Sequence, residues 1–100
     1  MAWGFLTNHA QALLCIAQDP GVRLREIATA LGITERAAFG IVTDLVEAGY
    51  VLKDRHGRRN HYRVQVDQPL PEALLRQQTV GQLLNLLAYT EEDTREHLRP

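Results

Sequence analysis

A mainly α chain with a small β-hairpin is the fold class this sequence predicts, and three observations predict it. Apolar residues recur at helical spacing in four stretches, separated by turn residues. Helix-starting Thr34 and helix-stopping Gly32 and Gly49 punctuate the middle of the chain. Two runs of period-two alternation then flank a basic loop with a central glycine, which reads as a hairpin.

In chain order, Thr7 or Asn8 caps a first helix that runs to about Gln18, with Ala10, Leu13, Leu14 and Ala17 at helical spacing. Asp19-Pro20-Gly21 ends it, because each of these residues favours a turn. Val22-Arg23-Leu24 is a short extended link with room for one brief strand. A second helix spans about Arg25 to Leu31, with Ile27, Ala28 and Leu31 as its apolar stripe. Gly32 stops it in the left-handed conformation. Thr34 caps a third helix that reaches about Ala48, with Ala38, Ile41, Val42 and Leu45 on one face. Tyr50 to Asp54 and Asn60 to Val66 are strands, joined through Arg55-His56-Gly57-Arg58-Arg59. Beyond the Pro69 and Pro71 linker, Glu72 to about Ala88 reads as one leucine-rich helix with Gly81 as a weak point, followed by an acidic tail.

One hundred residues suit one hydrophobic core, and 45% apolar with 23% charged residues is an ordinary soluble composition. The net charge of −1 conceals a segregation of charge. From residue 53 to 63, Lys53, Arg55, Arg58, Arg59 and Arg63 are opposed only by Asp54, whereas acids dominate after Val64. A local basic surface on a neutral body suits an anionic partner. The single Cys15 excludes an internal disulfide framework. The start has no basic segment ahead of its apolar stretch and so does not read as a signal peptide. No run approaches 18 apolar residues. A cytoplasmic protein, without a membrane partner and nucleoid-associated when bound, is the expectation. His9, His56, His61 and His97 lack ligand spacing, so neither a metal nor another cofactor is expected. No nucleophile elbow, phosphate loop or paired carboxylates point to an enzyme.

The stretch from Leu24 to Ala38 pairs a short helix, a glycine turn and a capped longer helix, which is the helix-turn-helix pattern. Ala28 suits a close helix crossing, and Ile33 suits a plug between the two helices. The chain continues Leu45-Val46-Glu47-Ala48-Gly49-Tyr50-Val51 and then the basic hairpin. From about Asn8 to Val66 this resembles the winged helix-turn-helix of MarR- and ArsR-type bacterial transcriptional regulators. The resemblance implies that the third helix enters the major groove of double-stranded DNA and that the hairpin forms a wing of two or three strands. The groove candidates are Thr34, Glu35, Arg36, Phe39, Gly40 and Thr43, which face away from the apolar stripe. Arg36 suits a guanine edge, Glu35 a cytosine amine and Phe39 a thymine methyl. The face departs from the common pattern at Gly40, where a polar or basic residue often stands and where glycine weakens the helix by roughly 1 kcal/mol relative to alanine. Arg55, His56, Arg58 and Arg59 are the candidates for phosphate or minor-groove contact.

The resemblance also implies a homodimer, with half-sites about 10 base pairs apart or a multiple of that, and it leaves a place for a small-molecule effector. Trp3, Phe5, Leu6, Leu83, Leu84 and Leu87 are the dimerisation candidates, being more apolar than one short chain needs for itself. Residues 1–68 form the expected winged DNA-binding domain, and residues 69–100 the flanking dimerisation helix and tail. The competing class is a non-catalytic winged helix that docks another protein through Phe39 and Gly40. The wing arginines weigh against an apolar partner, because burying them there is unfavourable.

Overall fold

The computed structural model describes residues 4–87 and divides the chain into two compact units, Met1–Gln65 and Val66–Pro100. In the first unit, helices α1 (Asn8–Gln18), α2 (Leu24–Leu31) and α3 (Glu35–Glu47) precede strands β1 (Val51–His56) and β2 (Arg59–Val64). The second unit holds a 3-10 turn at Ala73–Leu75 and helix α4 (Val80–Leu87). The fold is mainly α with one antiparallel hairpin, a winged helix-turn-helix.

Local chemistry sets the helix ends. Thr7 Oγ1 accepts from the Ala10 N–H at 3.1 Å, and Thr34 Oγ1 accepts from the Ala37 N–H at 3.0 Å. Each satisfies a donor that has no partner inside its helix. Arg23 lacks an acceptor, so the N-terminus of α2 is closed from the other side: Glu26 accepts the Arg23 N–H at 2.8 Å. The link from Val22 to Leu24 therefore passes straight into a helix and is not a strand. At the C-terminus of α2, Gly32 takes φ +70° and the Ile33 N–H donates to Ala28 at 3.0 Å, closing a Schellman motif. That motif makes the tight turn between the paired helices. Gly49 ends α3 with the same pattern, as the Tyr50 N–H donates to Leu45, and the chain turns into β1.

The core of this unit joins Ala12, Leu13 and Ile16 of α1, Ile27 and Ala28 of α2, and Ala38, Ile41, Val42 and Leu45 of α3 to Val51 and Tyr62 of the sheet. Ala28 is buried where α2 meets its neighbours, while Ile33 is half-buried. The α1 face differs from the expected stripe: Ala17 is exposed, and Ala12 and Ile16 take the inward positions. Nearly every residue from Ala12 to Ala17 is apolar, so spacing alone does not choose the face.

The ladder pairs Val51 with Val64 and closes at His56 with Arg59, longer at the tip than expected. Gly57 adopts φ +64°, which permits a two-residue turn of Gly57 and Arg58 in place of a five-residue loop. Arg55 and Arg59 are consequently strand residues, and only Arg58 of the three occupies the turn itself.

The second unit corrects the single helix expected from Glu72 to Ala88. Backbone bonds from Leu70 N–H to Gln78 and from Val80 N–H to Gln68 hold the chain extended around a bridge between Pro69 and Thr79. A helix cannot cross that segment. It starts instead at Val80, where Thr79 Oγ1 accepts from the Gln82 N–H at 3.2 Å and Gln82 Oε1 accepts from the Thr79 N–H at 2.8 Å. This is a capping box. Gly81 is less a weak point than a close approach: its N–H donates to Val66 O at 2.9 Å, and a Cβ there would lie 2.9 Å from Val66 Cβ. Gly81→Ala therefore gains helix propensity but forces the chain off Val66, and the clash outweighs the gain by about 1–2 kcal/mol. The expected result is faster amide exchange at Leu84 and Asn85, with the first unit unaffected; unchanged exchange would show that Val66 yields freely.

Among the described residues, no helix is long and apolar enough to cross a membrane.

Candidate nucleic-acid interface

The core stripe of α3 decides what the helix shows outward. With Ala38, Ile41, Val42 and Leu45 buried, the opposite face carries Arg36, Gly40 and Thr43 along its centre and Phe39 along its wing side. Thr34, Glu35, Arg36, Phe39 and Gly40 are exposed, and Thr43 is half-buried. Phe39 is 57% exposed, a large apolar side chain with little cover from its own chain.

Register decides what the wing shows. Directly opposed residues share a face of the sheet, so Val51, Lys53 and Arg55 lie with Val64, Tyr62 and Asn60. The buried Val51 and Tyr62 mark this as the inner face. A narrow groove of about 100 Å³ runs between it and α3, with Phe39 and Thr43 on one wall and Lys53 and Asn60 on the other. Arg59, His61 and Arg63 occupy the outer face, where Arg63 meets Asp54 at 3.7 Å.

The wing is tied to the turn after α1. The Tyr62 N–H donates to Pro20 O at 2.8 Å, and Arg59 Nη2 donates to Gly21 O at 2.6 Å. One guanidinium carries five N–H donors, so Arg59 holds the turn and still has donors to offer. Beside it opens a cleft of about 420 Å³, where Arg23, Arg58 and Arg59 gather around Glu35. The start of α3 and the tip of the wing thus border one basic recess. Arg36, Arg55 and Arg58 make no side-chain hydrogen bond or ion pair among the described residues. Asp44, by contrast, is occupied by His9 Nε2 of α1 at 2.8 Å.

Of the residues expected at this surface, Thr34, Glu35, Arg36, Phe39, Gly40 and Thr43 share the exposed side of α3, and Arg55, Arg58 and Arg59 lie at the outer end of the hairpin. His56 pairs with Arg59 in the ladder. Arg23, Lys53 and Asn60 line the same recess and groove and were not anticipated. Lys53 and Asn60 share the parity of Tyr62 across the hairpin, a signal that becomes readable once the turn is known to have two residues.

The dimerisation candidates are scattered. Trp3 lies outside the described residues, as does the acidic tail. Phe5 is exposed and Leu6 half-buried. In α4, Leu83 and Leu87 are half-buried and Leu84 is only 6% exposed, whereas Leu86 is 69% exposed. Among the described residues of this unit, Val66, Leu74, Leu75 and Leu86 are the exposed large apolar side chains.

Cys15 is half-buried in α1, and burial pushes its thiol above the ordinary range, with a backbone hydrogen bond pulling weakly the other way. Among the described residues, no three of His, Cys, Asp and Glu are grouped to hold a metal ion.

Residues 3–60 match the sequence profile of the MarR family. No curated protein matches the sequence. Three solved structures are similar in fold. A MarR protein from Peptoclostridium difficile superposes with a TM-score of 0.56 at 19% identity, over 90% of this chain and 52% of its own. MepR, a transcription regulator of the Staphylococcus aureus multidrug efflux pump MepA, gives 0.53 at 13% identity, over 91% and 70%. The zinc-dependent MarR family transcriptional regulator AdcR in its Zn(II)-bound state gives 0.50 at 18% identity, over 100% and 67%. The chain spans about half the length of the first of these proteins.

Proposed function

The chain belongs to the MarR family, and from that premise and the exposed basic surface we infer that it binds double-stranded DNA by sequence, as a homodimer, and regulates transcription. The observation that carries this reading is the pairing of two exposed elements: Glu35 at the start of α3 and Arg58 and Arg59 at the tip of the wing border one recess, and Arg36, Arg55 and Arg58, exposed on these two elements, lack a partner among the described residues. Arginines left exposed and unpaired suit phosphates and guanine edges. The first turn of α3 offers exposed backbone amides, with the positive end of the helix dipole behind them.

In this reading α3 lies in the major groove, with Arg36, Glu35, Phe39 and Thr43 toward base edges and Thr34 at the flanking phosphate. Arg55, His56 and Arg58 follow the backbone or the adjacent minor groove, and Arg59 contributes charge while holding the wing. Residues 1–68 would be the DNA-binding domain, and residues 69–100 with Trp3, Phe5 and Leu6 the dimer contact. An effector of such a protein acts only through a difference in its affinity for the DNA-bound and free forms.

One observation favours the other class. Phe39 is exposed beside a groove, as an anchor for a partner protein would be. Selection of sheared genomic fragments by the purified protein at about 150 mM salt, where weak non-specific binding is suppressed, separates the two. Enrichment of a two-fold symmetric site is expected. No enrichment, with weak affinity even at low salt, would overturn DNA binding and leave Phe39 as a protein anchor.

A further inference from the structure

Gly40 stands in the middle of α3, where glycine weakens a helix relative to alanine. Nothing among the described residues calls for it. A Cβ built at Gly40 meets no atom within 4 Å, so the folded domain has room for a side chain there. Gly81 is the opposite case, since a Cβ there would press on Val66. Packing among the described residues therefore does not account for a bare backbone at position 40.

Its place on the helix says where. Residues advance about 100° each around an α-helix, and the buried Ala38, Ile41, Val42 and Leu45 define the inward direction. Gly40 then points almost straight out. Arg36 lies one turn before it, Thr43 one turn after, and Phe39 beside it toward the wing. This is the line on which a helix comes nearest to whatever it docks against.

We propose that Gly40 is the point of closest approach between α3 and the floor of the DNA major groove, and so sets how deeply the recognition helix seats. The inference rests on the reading of α3 as a groove-binding helix. With no side chain at its crest, α3 sits closer to the base pairs by about one carbon–carbon bond, and the exposed Arg36 and Phe39 and the half-buried Thr43 on either side reach the base edges. The double-helical partner is favoured over a protein by Arg36 on this line and by Arg55 and Arg58 on the wing, all exposed and without a partner among the described residues. A methyl group at position 40 lifts the helix. Base-edge hydrogen bonds near 2.9 Å stretch beyond about 3.5 Å and cease to be hydrogen bonds. Wing contacts to phosphates tolerate the same shift, because they depend on charge over several ångströms.

The test compares wild type, Gly40→Ala and Gly40→Leu on the site recovered by genomic selection and on an unrelated duplex of equal length, at two salt concentrations. In Gly40→Ala the melting temperature is expected to hold or rise by a few degrees. Its Kd on the selected site should rise tenfold or more, further in Gly40→Leu, while Kd and salt slope on the unrelated duplex stay unchanged. Wild-type affinity for the selected site in Gly40→Ala overturns the inference and leaves DNA binding standing. An equal loss on both duplexes, or a lower melting temperature, also overturns it. Failure of wild type to select any DNA overturns the functional reading itself, and that outcome appears before either variant is made.

Discussion

Ile27→Ala is expected to lower the melting temperature of the first unit by at least about 10 °C and to abolish DNA binding with it. Ile27 is 0% exposed, and the short helix that carries it packs on both α1 and α3. Trimming a fully buried isoleucine to alanine removes its transfer free energy and leaves a void, together about 2–5 kcal/mol. A body of this size holds only about 3–10 kcal/mol in total, at roughly 0.05–0.15 kcal/mol per residue. One side chain therefore decides whether α2 stays seated, and α2 is the support on which α3 rests. The control is Thr29→Ala on the same helix. Thr29 is exposed and its hydroxyl donates only to the Arg25 carbonyl one turn back, so its loss shifts stability by less than about 0.5 kcal/mol. Thermal unfolding followed by far-UV circular dichroism distinguishes the two, and coincident curves for Ile27→Ala and wild type would show that the core lies elsewhere.

The parts of this fold that were legible in the sequence are those governed by neighbours a few residues apart. Thr7 and Thr34 cap their helices, and Gly32 and Gly49 end theirs, because each interaction spans one turn. The outward face of α3 was legible for the same reason, since four core residues on one stripe leave Arg36, Gly40 and Thr43 opposite. Where apolar residues follow one another without a break, as from Ala12 to Ala17 in α1, periodicity loses its meaning, and Ala17 was read inward when Ile16 holds that place. The last helix failed differently. The capping signal Thr79-x-x-Gln82 stands in the sequence, but the leucines from Leu74 to Leu87 form a longer pattern that overrides it on paper. What ends that pattern is the bridge from Pro69 to Thr79, a pairing across ten residues that local spacing does not encode. The site divides along the same line. Exposure of the arginines was readable, whereas the hold of Arg59 on Gly21 and of His9 on Asp44, 38 and 35 residues apart, is a product of the tertiary fold.

That hold gives the wing arginines unequal expected effects. Arg58 occupies the turn and Arg55 the inner face of β1, and neither has a partner among the described residues. If each neutralises one phosphate, each alanine substitution releases one contact and flattens the dependence of log K on log salt by about 0.9. The double variant Arg55→Ala, Arg58→Ala should lose on the order of tenfold or more in affinity at about 150 mM salt, equally on specific and unrelated DNA, with no change in thermal stability. Arg59→Ala should behave otherwise. It removes the 2.6 Å bond to Gly21 O beside the Tyr62 N–H to Pro20 O bond that also ties wing to turn, so exchange of the Tyr62 amide should quicken before any change in salt slope. Arg59→Lys restores the charge but not the planar donor that reaches Gly21, so it should recover little of the Tyr62 protection. Full recovery by lysine, together with a slope change of about one in Arg59→Ala, would make Arg59 a phosphate contact like its neighbours and remove its role as the wing's anchor.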